Sequence, residues 1–137
     1  MANTTIETME VYLIEDDEIY SEFVRKSLTQ SDFNVKPFYN AEDCITELKN
    51  NPLVPDVIII DYKLPGMNGI EFFQTIQPTV DEDKTKLIVL SSIDDGNLVL
   101  DFIQKGIRDY VIKDDQVVSS LIAIIEGNDD DYYMFDD

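Results

Sequence analysis

The stretch VIIIDYKLPGMNG, residues 57–69, joins a short apolar run, an acidic residue and a turn. Four aliphatic residues in a row, Val57 to Ile60, are typical of a strand that is buried on both faces. The Pro-Gly pair that follows predicts a turn, and apolar residues at helical spacing up to Ile76 predict a helix beyond it. The stretch therefore predicts a strand, a turn and a helix, with Asp61 at the carboxyl end of the strand.

The same alternation of strand and helix recurs along the chain. Short apolar runs at 11–14, 87–90 and 110–112 predict further strands, and 33–38 predicts a weaker one. Each is followed by apolar residues at helical spacing, which in the first helix are Ile19, Phe23, Val24 and Leu28. Asn40 is expected to cap the second helix, and Gly106 and Gly127 to end the fourth and fifth. Parallel strands joined by right-handed helical crossovers form an open sheet, so we expect a doubly wound α/β fold with five parallel strands in the order 2-1-3-4-5.

The composition is that of one folded domain with a large negative charge. The chain has 137 residues, of which 44% are hydrophobic, and a formal net charge of -19. That charge argues against nucleic acid or an anionic membrane as a direct partner, because both bind clustered Lys and Arg, and favours a basic protein surface. No signal peptide or membrane span is recognised, and the single cysteine, Cys44, fits a reducing compartment, so a cytoplasmic location is expected. We expect residues 1–127 to form the domain and the acidic, aromatic segment 128–137 to be a solvated tail, with a docking motif as the alternative.

Acidic residues end the first and third predicted strands, on either side of the point where the strand order reverses. The first strand runs into the four acids at 15–18, and the third ends at Asp61. Ligands bind at this point in open α/β sheets. Converging carboxylates repel one another, and a hard divalent cation such as Mg²⁺ relieves the repulsion. Asp17 and Glu18 have a second interpretation, since acidic residues also favour the first turn of a helix.

Four motifs in order resemble bacterial response-regulator receiver domains. They are LIEDD at 13–17, IIDYKLPGMNG at 59–69, LSS at 90–92 and YVIK at 110–113. Each lies at the carboxyl end of a different predicted strand, and the resemblance covers the chain from about Glu10 to about Gly127. It implies a flavodoxin-like fold and a phosphorylation switch of the two-component type.

The resemblance also implies a metal site that uses the acidic cluster. Asp16 and Asp61 would bind Mg²⁺ directly, Glu15 would act through the metal or its water, and the backbone carbonyl of Lys63 would be a further ligand. Because Asp17 follows the usual acidic pair, the register of the ligands is ambiguous by one residue.

The remaining motif residues are implied to handle the phosphoryl group. Asp61 would be the nucleophile that becomes an acyl phosphate. Lys113 would pair first with Asp61 and then with a phosphoryl oxygen, and Ser91 would donate its hydroxyl to another. Tyr110 would turn inward as Ser91 moves. The alternatives are a Ser91 hydroxyl bonded to backbone and an ordinary half-buried tyrosine at 110.

Two further departures from the family pattern bear on this site. Asp114 follows Lys113 where the family often has a cis proline, which leaves the path of that loop open. Ser91 replaces the commoner threonine, which keeps the hydroxyl but frees its rotamer.

Three functions from different classes fit these residues unequally. The first is a stand-alone signalling domain, not an enzyme beyond its own phosphorylation and slow dephosphorylation, that alters partner binding through helix four, strand five and helix five. Since the chain contains no histidine, a separate histidine kinase or histidine phosphotransfer protein must be the donor, and the output protein is unknown. The second is a phosphorylation-independent interaction module, which the full set Asp16, Asp61, Ser91 and Lys113 argues against. The third, a magnesium-dependent phosphohydrolase, would require an acid at the position of Lys63.

The apolar fifth helix permits a monomer or a weak dimer.

Overall fold

The computed structural model describes residues 8–92 and 96–127. Strands and helices alternate throughout, as the sequence predicts. Their bounds are β1 Glu10–Ile14, α1 Glu18–Gln30, β2 Asn34–Phe38, α2 Ala41–Asn50, β3 Val57–Asp61, α3 Gly69–Ile76, β4 Lys86–Ser91, α4 Gly96–Gln104, β5 Asp109–Ile112 and α5 Val117–Ile125. The acidic segment 128–137, for which a tail was predicted, lies outside the described residues.

The strands form one parallel sheet in the order β2-β1-β3-β4-β5, which confirms the predicted topology. In the register of the sheet, Ile14 lies beside Ile60 on β3, and Asp61 lies beside Leu90 on β4. Ser91 lies beside Ile112 on β5. The carboxyl ends of β1, β3, β4 and β5 therefore meet along one edge, which we call the carboxyl edge.

The core consists of two layers, one on each face of the sheet. Helices α1 and α5 cover one face, and α2, α3 and α4 cover the other. Successive side chains of a strand point to opposite faces, so Ile58 and Ile60 belong to one layer and Val57 and Ile59 to the other. Burial on both faces explains why the strands are continuous apolar runs.

Helix α1 differs from the sequence prediction in which residues it buries. Its buried residues are Ser21, Val24 and Leu28, whereas Ile19 is 84% exposed and Phe23 is 50% exposed. The reason is helical geometry: at about 100° per residue, Val24 and Leu28 share a face with Ser21, and Ile19 and Phe23 fall well outside it. The apolar spacing predicted the helix correctly but placed two exposed residues in its buried stripe.

Caps and glycines mark the helix ends as expected. The Asn40 side chain accepts a hydrogen bond from the backbone of Asp43 at the start of α2. Gly106 and Gly127, beyond the ends of α4 and α5, have φ of 91° and 82°, in the left-handed region that glycine favours.

The loop from β3 to α3 depends on two glycines. Gly66 has φ of 83°, which confirms the predicted turn after Asp61. Gly69 begins α3 with its N–H donated to the Tyr62 carbonyl oxygen, and a β-carbon on it would lie 3.1 Å from the Tyr62 α-carbon. Only a glycine fits this close approach without a shift of backbone, so Gly69 helps to fix the chain that follows β3.

No helix within residues 8–92 and 96–127 is long and apolar enough to cross a membrane. The described peptide bonds are all trans, including the bond from Lys113 to Asp114, where the family often has a cis proline.

Candidate functional site

Three acidic side chains meet at the carboxyl edge. Glu15 follows β1, Asp61 ends β3, and with Asp16 they bring carboxylate oxygens within 4.8 Å of one another. Glu15 and Asp61 are buried, at 1% and 5% exposure, whereas Asp16 is exposed. The predicted convergence of carboxylates is therefore present, and solvent reaches it from the side of Asp16.

Lys113 joins two of these acids. Its Nζ lies 2.6 Å from Oε1 of Glu15 and 3.2 Å from Oδ2 of Asp61. The backbone N–H of Lys113 donates to the carbonyl oxygen of Ser91, which continues the pairing of β5 with β4 by one residue. The strand pairing therefore directs the lysine side chain to the Asp61 carboxylate, and the predicted pairing of Lys113 with Asp61 is present.

Burial and neighbouring charges have opposite effects on the pKa values of Glu15 and Lys113. Burial raises the pKa of Glu15, and the hydrogen bond from Lys113 offsets only part of that increase. Burial lowers the pKa of Lys113, but the hydrogen bond with Glu15 and the charge of Asp61 outweigh it, so this pKa is raised. The lysine stays charged at neutral pH. The cluster therefore contains three acidic side chains and one ammonium group, which contacts two of them. The site retains an excess of negative charge that suits a further cation.

Asp17 has a structural role at the start of α1. Its Oδ1 accepts hydrogen bonds from the backbone N–H groups of Ile19 and Tyr20, so it is the N-cap of α1. Glu18 lies in the first turn. Both residues thus follow the helix-start interpretation, whereas Glu15 and Asp16 are the members of the run that join the carboxylate cluster.

The backbone after Asp61 also contacts the Asp61 carboxylate. The N–H of Lys63 lies 3.4 Å from Oδ1 of Asp61, and the N–H of Tyr62 donates to the Leu90 carbonyl oxygen. Lys63 is exposed, and its carbonyl as a metal ligand stays a prediction.

Ser91 and Tyr110 lie on neighbouring strands beside this site. Ser91 ends β4 and is 2% exposed. Tyr110 is partly buried, and its ring lies 6.0 Å from the ring of Phe102 in α4. Phe102 also contacts Tyr62, at 5.4 Å between centroids, so three aromatic rings run from the loop after Asp61 to β5. The coupled motion of Ser91 and Tyr110 stays a prediction.

The sequence interpretation missed Tyr20. The Nζ of Lys113 lies 4.5 Å from the centroid of its ring. Burial raises the pKa of the Tyr20 phenol, with the charge of Lys113 opposing, so the phenol is neutral at physiological pH. Helical side chains lean toward the helix N-terminus, so an aromatic residue in the first turn of α1 was a signal that it would cover the end of β1.

Sequence comparison places this site in a known family. The model of the response regulator receiver domain family matches residues 11–126, which include all the predicted site residues. The chain is also 33% identical over 105 residues to a cyclic di-GMP phosphodiesterase of Thermotoga maritima, a match that covers 77% of this chain and 27% of that protein. The chain thus spans about a quarter of the length of that relative.

One relative of similar length to the chain is a chemotaxis protein. The chemotaxis protein CheY of Listeria monocytogenes is 29% identical over 114 residues, and the match covers 82% of this chain and 92% of that protein. Among solved structures, the chemotaxis response regulator CheY4 of Vibrio cholerae superposes with a TM-score of 0.76 at 16% identity, covering 88% of this chain and 98% of that one. The structural likeness supports the fold.

Proposed function

This chain belongs to the response regulator receiver domain family, and we propose from that premise that Asp61 accepts a phosphoryl group from a histidine kinase or a histidine phosphotransfer protein. The family is one of signalling domains and not of enzymes that act on an external substrate. The observation that carries the proposal is the position of Asp61, a nearly buried carboxylate with Lys113 on one oxygen and the acids Glu15 and Asp16 beside it. Since these 137 residues contain no histidine, the donor histidine lies outside them.

The transfer requires one bond to form and one to break. A carboxylate oxygen of Asp61 attacks phosphorus, the bond from phosphorus to the donor nitrogen breaks, and the electron pair stays on the imidazole, which takes a proton from solvent. The product is an acyl phosphate. Lys113 would follow the developing negative charge from Asp61 to a phosphoryl oxygen, because a compact ammonium group on a flexible stem can move between the two.

The acidic cluster fits Mg²⁺. Its donors are hard oxygen atoms, one acid is exposed to solvent, and Mg²⁺ binds one or two carboxylates while keeping water and phosphate oxygens in its other positions. Asp16, Asp61 and the Lys63 carbonyl would hold the metal, with Glu15 acting through it or its water. When bound, the metal would neutralise charge between the acids and the incoming phosphoryl group.

An apolar patch next to the site would receive the donor protein. Ile19 and Phe23 on α1 and Tyr39 after β2 are exposed by 84%, 50% and 48%. They line one surface depression together with Glu18, Glu22 and Lys26. Ile19 lies two residues after the α1 cap, so the patch adjoins the carboxyl edge, where a donor histidine must approach Asp61. The net charge of -19 favours a donor with a basic rim around an apolar centre.

The output surface would lie on the opposite layer. Leu100 and Ile103 on α4 are 56% and 60% exposed, and their helix supplies Phe102 to the aromatic rings described above. The proposal is that Ser91 and Tyr110 change this surface after phosphorylation and so change the affinity for an output protein. A cytoplasmic location belongs to the same proposal, which the single buried thiol of Cys44 supports.

Intact mass after incubation with Mg²⁺ and acetyl phosphate tests the function. The wild-type chain should gain the mass of one phosphoryl group, and Asp61→Asn should gain none while it keeps its fold, since an amide is nearly the same shape and a much poorer nucleophile. Labelling that persists in Asp61→Asn would move the acceptor elsewhere. A wild-type chain that is never labelled would instead favour the phosphorylation-independent interaction module.

A further inference from the structure

The ammonium group of Lys113 is held on three sides. It contacts Oε1 of Glu15 at 2.6 Å and Oδ2 of Asp61 at 3.2 Å, and the ring of Tyr20 lies 4.5 Å away. An ammonium group has three N–H donors and no acceptor. Two carboxylates and one aromatic face therefore supply a partner for each side of the charge, and the Lys113 side chain is only 16% exposed.

The position of Tyr20 is set by α1. Its backbone N–H donates to Oδ1 of Asp17, the N-cap, which fixes the first turn of the helix. The ring then leans back over the end of β1, where Glu15 lies. Tyr20 and Lys113 are far apart in the sequence, so only the fold brings them together.

The contact of Tyr20 with the site is made by the ring face and not by the hydroxyl. The Tyr20 hydroxyl is buried and, among the described residues, has no hydrogen-bond partner. Buried tyrosine hydroxyls usually find one, and leaving a buried donor unpaired is unfavourable. The hydroxyl therefore does not account for an aromatic residue here, whereas a cation over the ring face is attracted by the ring quadrupole.

We propose that Tyr20 is a positioning residue, whose ring holds the Lys113 ammonium group between Glu15 and Asp61 so that the charge is in place when a phosphoryl group arrives. A lysine stem has four flexible carbon–carbon bonds and many competing rotamers, so without the ring the ammonium group would spend part of its time in water. The inference rests on the proposed role of Asp61 as acceptor.

Two substitutions separate the ring from the hydroxyl. Tyr20→Phe keeps the ring face and removes the unpaired hydroxyl, and Tyr20→Leu removes the ring and keeps an apolar side chain of helix-forming type. With saturating Mg²⁺ and acetyl phosphate, Tyr20→Phe should label Asp61 within about twofold of the wild-type rate. Tyr20→Leu should label it about three- to tenfold more slowly, the range expected for a partly desolvated cation over an aromatic face.

Nuclear magnetic resonance of the lysine side chain supplies a readout that a general loss of structure would not imitate. Because the Lys113 Nζ lies 4.5 Å from the ring centroid, we expect the resonances of the adjacent ε-methylene protons to be displaced to low frequency in the wild type and in Tyr20→Phe. They should return to ordinary lysine values in Tyr20→Leu, while the amide resonances of β1 and β5 stay dispersed. If Tyr20→Leu fails to fold, Tyr20→Met, which is unbranched and adaptable, replaces it.

The outcomes distinguish this proposal from the proposed function. No labelling of the wild-type chain would overturn the acceptor role and, with it, this inference. Normal wild-type labelling with an equal rate in Tyr20→Leu would overturn the positioning role alone. An equal loss in Tyr20→Phe and Tyr20→Leu would assign the effect to the hydroxyl and also overturn it.

Discussion

At the scale of single residues, the acidic run at 15–18 divides into three roles. Glu15 is buried against Lys113, Asp16 is exposed within the carboxylate cluster, and Asp17 caps α1. The sequence predicted the cluster, because strand ends in a parallel sheet meet at one edge. It could not choose between Asp16 and Asp17, because capping depends on where the helix begins, and helix ends are uncertain by one or two residues.

Magnesium affinity should separate Asp16 from Asp17. Asp16→Asn removes a proposed direct ligand and should weaken Mg²⁺ binding by at least about tenfold, since even partners outside the first ligand sphere have effects of that size. Asp17→Asn makes the same change of charge one residue away, and asparagine is as good an N-cap as aspartate, so the fold and the affinity should be nearly kept. Titration with Mg²⁺ followed by amide chemical shifts would measure both. Equal losses in the two variants would contradict the register.

Cys44 should be inert in the folded protein. It is completely buried in α2, and burial, with a smaller effect from Glu47, raises the pKa of its thiol to about 12. Only the thiolate is an effective nucleophile, so at pH 8 the native chain should resist iodoacetamide for hours and react promptly in urea. Mass spectrometry of the two samples measures this. Rapid alkylation of the native chain would mean that α2 opens readily.

At the scale of elements, strands were more predictable than helix faces. A strand buried on both faces is apolar throughout, so its identity does not depend on register, and all the predicted strands are present. A helix requires a decision about which apolar residues face the core. In α1 that decision was wrong for Ile19 and Phe23, because the buried face is completed by Ser21, a polar residue that hydrophobic spacing cannot find.

The misjudged residues of α1 lead to a prediction about the donor. Phe23→Ser removes a large half-exposed ring from the patch without opening a core cavity. Transfer from a protein donor that carries phosphohistidine should become about tenfold slower or more, the usual effect of losing an interface anchor. Transfer from acetyl phosphate, which needs no docking, should change far less. The measurement is the ratio of the two rates.

Ile103→Ser is the matched control for this experiment, since it replaces an apolar residue of similar exposure on α4, away from the donor patch. Its ratio of the two rates should stay near that of the wild type. A similar fall in the ratio for both variants would mean that the donor is not recognised through α1.

At the scale of the whole molecule, the proposed donor patch on α1 and the proposed output surface on α4 lie on opposite layers of one sheet, and Asp61 lies at the carboxyl edge between them. If Asp61 is phosphorylated as proposed, its effect would reach α4 through side chains that already touch. Tyr62 follows Asp61, Phe102 packs against Tyr62, and Tyr110 packs against Phe102. The sequence suggested Tyr110 as a switch only through its resemblance to receiver domains. It could not predict the bridging role of Phe102, because the contact joins residues from three elements and has no local pattern.

The coupling across the molecule can be tested with Ser91→Ala. If the phosphoryl group draws the Ser91 hydroxyl inward, the space it leaves admits the Tyr110 ring, and the Phe102 contact and the surface of α4 must change with it. Ser91→Ala should still allow labelling of Asp61. It should lose much of the coupling free energy between phosphorylation of Asp61 and the change at the α4 surface, which is typically about 1 to 3 kcal/mol.

The measurement is a pair of amide spectra, with and without a beryllium fluoride mimic of the phosphoryl group. Wild-type shifts should be large in α4 and β5 and should shrink in Ser91→Ala. Ser92→Ala, a change of the same kind at an exposed neighbour, should leave them unchanged. Equal shifts in wild type and Ser91→Ala would show that the Ser91 hydroxyl serves only the core. The three aromatic rings would then have to respond to Asp61 through the Tyr62 backbone, whose N–H donates a hydrogen bond to the Leu90 carbonyl oxygen at 2.7 Å.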